Sequence, residues 1–199
     1  MIVVSDTSAL SNLIQVQQLP ILAALFKQII IPQEVYKELC EIATQKQLID
    51  NQNWILVQPA TNQTKITELK QNLDDGEAEA IALALEINSD YLLIDELKGR
   101  NIAENHGIKI VGLLGILIKA KQQGILTAIK PIMEQLLTIG FRIKPTLFDR
   151  VLEEVSNTIQ IKYEFTTVLF VQKTQKKASL LRGLKQGILT PKGWNDYRK

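Results

Sequence analysis

Two apolar runs in this chain end in carboxylates. "MIVVSDTSAL" places Asp6 where a short apolar run stops, and "YLLIDELKGR" ends another in the adjacent acids Asp95 and Glu96. In an open parallel sheet, ligands gather beyond the carboxyl ends of the strands, so both positions are functional addresses. Asp6 could serve only as a helix cap, but Thr7 and Ser8 already offer capping oxygens, so capping alone does not account for its charge. Adjacent carboxylates such as Asp95 and Glu96 repel each other unless a cation stands nearby.

Two further stretches carry acids at helical spacing. In "LDDGEAEAIALALEI" the segment from Glu77 to Ile87 is apolar nearly all round, with Glu77 on one side and Glu79 and Glu86 in a stripe on the other. Asp74 and Glu77 have capping-box spacing, which gives Glu77 a structural reading. Glu79 lacks that explanation and lies in the first turn, where the helix dipole favours the ionised form by a few tenths to about 1 kcal/mol. "IPQEVYKELCEIA" offers Glu34, Glu38 and Glu41, with Val35, Leu39 and Ile42 spaced to face a core. Spacing does not choose among those three acids.

Two like charges about 4 Å apart repel by roughly 4 kcal/mol at an effective dielectric near 20, so if the fold brought several of these carboxylates together they would require a cation. All-oxygen ligation suits Mg²⁺ or Mn²⁺, whereas zinc favours His or Cys. The chain holds only one of each, His106 and Cys40. His106 stands before Gly107 at an expected helix end and Cys40 reads as a small apolar packer, so neither is a ligand candidate. A hard dication held by carboxylates would lower the pKa of a bound water and make it a nucleophile.

The elements that must position these acids follow from the apolar pattern. Strand-like runs at Ile2 to Val4, Ile29 to Ile31, Ile55 to Val57, Tyr91 to Ile94 and Ile108 to Val111 alternate with helical stretches. That alternation predicts an α/β fold: a central parallel sheet of about five strands with helices on both faces. Helices are expected from Ala9, after Pro32, over Ile129 to Thr138 and over Thr146 to Ser156, with Gly107 and Gly124 as helix stops. At 199 residues the chain suits a domain over 1–157 and a basic extension over 158–199. Residues 162–199 carry nine Lys and Arg against Glu164 and Asp196, or +7, leaving −5 for the remainder of a +2 chain. Lys173, Lys176, Lys177, Arg182 and Lys185 in that tail are candidate nucleic-acid contacts. A single cysteine and the lack of an apolar span or leader lead to the expectation of a cytoplasmic protein with no membrane association.

Taken together, "VSDTSAL", "IPQEVYKEL", "LDDGEAEAIALALE", "LLIDELKGRNIAENHGI" and the closing "GLLGILIKAKQQGIL" resemble PIN-domain proteins, specifically the VapC-like toxin ribonucleases, over about residues 1–155. The resemblance implies a PIN-like fold and a catalytic cluster of Asp6, Glu38, Glu79, Asp95 and Glu96. The metal would sit on Asp6, Glu79 and an acid of the Asp95/Glu96 pair, with Ser8 and Arg100 as supporting polar groups. It further implies Mg²⁺ or Mn²⁺ as cofactor, RNA as substrate with 5′-phosphate and 3′-hydroxyl products, a small antitoxin partner and a homodimer. The competing reading is a catalytically weak PIN-like module that binds RNA or a protein partner. A phosphoaspartyl phosphatase would want a second Asp two residues after Asp6, where this chain has Ser8.

Overall fold

The computed structural model describes residues 1–156. The strand-prone run at 165–172 and the tail residues Lys173, Lys176, Lys177, Arg182 and Lys185 lie outside the described residues, as does the expected boundary after residue 157. Met1–Leu152 form one compact unit.

Five short strands form one all-parallel sheet in the order β3-β2-β1-β4-β5: β1 (Val3–Ser5), β2 (Ile29–Ile31), β3 (Ile55–Val57), β4 (Tyr91–Leu93) and β5 (Ile110–Val111). This is the parallel α/β architecture expected from the alternation. Apart from the buried Ser5, the central strands are apolar because helices cover them, and Val3, Val4, Leu92 and Leu93 are fully buried. Val3, Val4 and Ser5 face Tyr91, Leu92 and Leu93 in register, and the Asp6 N–H continues the ladder to the Leu93 carbonyl at 3.0 Å. Sequential strands build outward from β1 through β2 to β3, after which the chain returns to add β4 on the other side of β1. The order therefore reverses between β1 and β4, the place where an open parallel sheet leaves a crevice at its carboxyl edge.

Nine helices are delimited within residues 1–138, and the helical stretch over 145–156 follows them. Around the site lie α1 (Thr7–Gln15) and α3 (Gln33–Cys40), followed by α6 (Asp75–Glu86), α7 (Leu97–Asn105) and α8 (Leu113–Gln122). The other helices are α2 (Pro20–Phe26), α4 (Ala43–Asp50), α5 (Gln63–Lys70) and α9 (Lys130–Thr138). Helix α6 is the most enclosed: every residue from Gly76 to Ala84 is buried, and it packs on α3, α5, β1 and β4. Its small alanines permit that close approach on several sides. Gly107 and Gly124 follow α7 and α8 with φ of +77, the left-handed closure expected of them. Pro32 is the cap preceding α3, and Ile94 lies past the end of β4 but remains fully buried. Among the described residues no helix is long and apolar enough to cross a membrane.

Candidate functional site

The crevice beyond β1 is a cavity of about 450 Å³. Its acids are Asp6, Glu38, Asp74, Glu77 and Glu96, and Thr7, Ser8, Ser11 and Asn12 from α1 complete the wall.

Asp6 occupies the step from β1 into α1, where it is both cap and buried charge. Oδ1 accepts from the Ala9 N–H at 3.0 Å and Oδ2 from the Ser8 hydroxyl at 2.7 Å. With 2 % of its surface exposed, the carboxyl is pushed from 3.8 up to about 7. Burial is the main cause; the bonds from Ala9 and Ser8 pull it back, and the charge of Asp95 pushes it further up.

Glu38 reaches the same place from the last turn of α3. Oε1 accepts from the Gly76 N–H at 3.0 Å and Oε2 from the Thr7 hydroxyl, so one carboxylate ties α3 to α1 and to the start of α6. Burial raises its pKa, Thr7 and Gly76 oppose the rise, and the charges of Asp74 and Glu34 add to it.

Glu77 comes from α6. Its N–H donates to Asp74 Oδ1 at 2.8 Å, the capping contact expected from the sequence. Its side chain has a different position from the one that expectation suggested: it is 8 % exposed, lines the cavity, and its buried Oε1 has no hydrogen-bond partner among the described residues. Burial, followed by the charges of Asp74, Asp6 and Glu96, pushes this carboxyl from 4.5 up to about 7. Such an atom marks a place where a cation or proton donor is wanted.

Glu79, the acid favoured from the sequence, is placed elsewhere. It is equally buried, but Oε2 accepts from the Glu34 N–H at 2.6 Å and Oε1 from the Ala60 N–H at 3.1 Å. It lines a separate cavity of about 230 Å³ with Glu34, Lys37 and Lys70, joining α3 and the segment before α5 to α6. Its two acceptor bonds give it a structural task, and Asp6 is not a neighbour in that cavity. The sequence signal for Glu77 was available: an acid alone on one side of an apolar helix. The capping-box spacing explained only its N–H.

At the end of β4 the two acids diverge. Glu96 caps α7 without a side-chain capping bond, is exposed, and lines the main cavity. Asp95 is mostly buried and turns toward α8, where Oδ1 accepts from the Leu113 N–H at 2.8 Å and Oδ2 has no partner among the described residues. Burial raises the Asp95 pKa, while the Leu113 bond and the Arg100 charge lower it. Ser8 holds Asp6, as a supporting residue would, and Arg100 is half-buried beside Asp95 and Gly112. Asp74, read from the sequence only as a cap, also faces the cavity.

The structure thus brings Asp6, Glu38, Glu77, Asp74 and Glu96 to one crevice, keeps Asp95 behind it, and sets Glu79 apart. Among the described residues no group of three or more His, Cys, Asp or Glu is gathered tightly enough to hold a metal by itself. Zinc, which wants a closed set of protein donors, does not fit. Mg²⁺ does fit in donor chemistry, because it binds through one or two carboxylates and keeps several waters. The Glu77 Oε1 left without a partner among the described residues, and the burial and neighbouring carboxylate charges that raise Asp6 and Glu77, are the features such an ion would relieve.

A family model described as a PIN domain matches residues 2–157. No curated protein matches the chain.

Proposed function

The chain belongs to the PIN-domain family, whose members are generally nucleases that work with divalent metals, and from that premise we propose that it is an Mg²⁺- or Mn²⁺-dependent endoribonuclease. The observation that carries the proposal is the convergence of Asp6, Glu38 and Glu77 on one cavity at the sheet's switch point, with a Glu77 oxygen buried and unpartnered. These three, with Glu96 at the rim, would hold the ion. When bound, it supplies Lewis-acid activation of water and neutralises phosphate charge.

The chain's own residues set the geometry. Ser8 and the Ala9 N–H fix both oxygens of Asp6, and Thr7 and the Gly76 N–H fix both oxygens of Glu38. Asp95 anchors the start of α8 and adds negative charge behind Asp6. Among the described residues the cavity is lined by carboxylates, hydroxyls and Asn12, and the raised pKa values of Asp6 and Glu77 suit proton exchange near neutrality.

The deciding experiment is Mn²⁺ titration and RNA cleavage on D6N, E77Q and E79Q. D6N and E77Q should lose both metal response and cleavage, and E79Q should keep them. If D6N cleaved RNA with undiminished metal dependence, the proposal would fail. The lack of a tight three-donor group among the described residues favours a second reading, a catalytically weak module that binds RNA or a protein. A wild-type protein indifferent to Mn²⁺ but retaining RNA would establish that second reading.

The finer assignment is a VapC-like toxin: a cytoplasmic homodimer whose crevice is covered by a small antitoxin and whose RNA is held by Lys173, Lys176, Lys177, Arg182 and Lys185. It rests on the sequence motifs and the tail's charge. Growth arrest on expression, abolished by D6N, would support it, and equal arrest by both proteins would remove it.

A further inference from the structure

The site's carboxylates stand where glycines leave room for them. A Cβ built on Gly76 would lie 2.6 Å from Glu38 Oε2 and 2.8 Å from Oε1. One on Gly99 would lie 2.8 Å from Glu77 Oε1 and 2.6 Å from Ile94 Cδ1. One on Gly112 would lie 2.8 Å from both Asp95 Oδ1 and Arg100 Nη1. Each of these distances is closer than real Cβ contacts allow. The three glycines come from the starts of three different helices, α6, α7 and α8, yet each adjoins an acid at or just behind the crevice.

Backbone conformation does not explain them. Gly107, Gly124 and Gly140 have φ of +77, +77 and +94 and need to be glycine. Gly76, Gly99 and Gly112 are outside that region, and at the two helical positions, Gly76 and Gly99, alanine would favour the helix. Something other than the main chain therefore opposes a side chain there, and the nearest atoms include a carboxylate in every case.

We propose that Gly76 and Gly99 are positioning residues of the metal site, forming the slots in which the Glu38 and Glu77 carboxylates are seated. The inference rests on the metal-site reading above and adds to it the groups that aim the ligands. In the Gly76 slot, the missing Cβ leaves the carboxylate close enough to accept the Gly76 N–H at 3.0 Å while its other oxygen takes the Thr7 hydroxyl. The Gly99 slot works differently, because Glu77 Oε1 enters it without gaining a hydrogen bond. It is space for a ligand oxygen, bounded by Ile94. A methyl at position 76 meets only the far end of a flexible side chain, so G76A should displace Glu38 and leave the fold intact.

A double-mutant cycle tests this, using wild type, G76A, E38A and G76A/E38A, read by Mn²⁺ affinity and by melting of the metal-free protein. G76A should weaken Mn²⁺ binding by about tenfold or more, as loss of a ligand-orienting group does, and should cause no further loss in the E38A background. In metal-free E38A the methyl enters vacated space, so G76A should raise Tm by about 2–4 °C there and by less in wild type. G99A should weaken Mn²⁺ in the same sense and add no loss to E77A. Equal effects of G76A on Tm in both backgrounds, or unchanged Mn²⁺ affinity in G76A, would overturn the proposal. A wild-type protein that does not bind Mn²⁺ removes the metal reading instead. The melting cycle still decides the slot, since coupling supports it and additivity overturns it.

Discussion

Changing Asp6 to asparagine separates two tasks that this residue performs at once. Asn caps helices as well as Asp does, so α1 keeps its Oδ1 bond to the Ala9 N–H while the buried charge disappears. The wild-type carboxyl is raised from 3.8 to about 7. Its folded form holds the proton more tightly than its unfolded form, so its contribution to stability is full below pH 3.8 and is lost as pH rises through 7. Relative to that low-pH limit, the preference of the folded state for the protonated form lowers stability by about 2 kcal/mol at pH 5 and by about 4 kcal/mol at pH 8, where the folded group is ionised. Removing the charge should therefore stabilise the metal-free protein at pH 8. At about 2–4 °C per kcal/mol the ceiling is about 16 °C in Tm for a domain of this size, and the gain should roughly halve at pH 5. The assay is thermal melting of wild type and D6N in a chelating buffer at both pH values, repeated with saturating Mn²⁺. Mn²⁺ should raise the Tm of wild type at pH 8 and leave D6N unmoved. If D6N were less stable than wild type at pH 8, or if Mn²⁺ stabilised both alike, Asp6 would not be a strained metal-seeking carboxylate.

Other outcomes follow from the same geometry. Mn²⁺ affinity of the wild type should climb between pH 6 and 8, because protons compete for Asp6 and Glu77, both raised to about 7; a flat isothermal titration series across that range would contradict this. E79A leaves the Glu34 and Ala60 N–H groups without their acceptor, so urea unfolding should show a loss of about 2–3 kcal/mol with Mn²⁺ affinity unchanged. S8A removes one of the bonds that restrain the Asp6 pKa, so the pH dependence of Mn²⁺ binding should move upward, measured by the same titration. Deleting residues 158–199 should flatten the salt dependence of RNA binding by a log–log slope of about 0.7 for each phosphate the tail neutralises, and an unchanged slope would exclude the tail as the RNA-holding segment.

The sheet and its ligand edge were legible in the sequence because short, fully apolar runs separated by helical stretches have few solutions other than a covered parallel sheet. Asp6 and the Asp95/Glu96 pair were legible for the same reason: a strand's end is a position along the chain, and the chain displays it. What the sequence left open was rotation about helix axes. Glu77 and Glu79 lie two residues apart on α6, about 200° around it, and both are buried, so polarity and spacing could not say which side holds the cavity. The packing of α6 on α3, α5, β1 and β4 fixed that rotation, giving Glu77 to the crevice and Glu79 to the amides of Glu34 and Ala60. Glu38 was likewise one of three acids until the seating of α3 brought it to Thr7 and Gly76. Strand positions along the chain and turn chemistry are written locally, whereas the facing of a buried helix is settled only by the side chains that surround it.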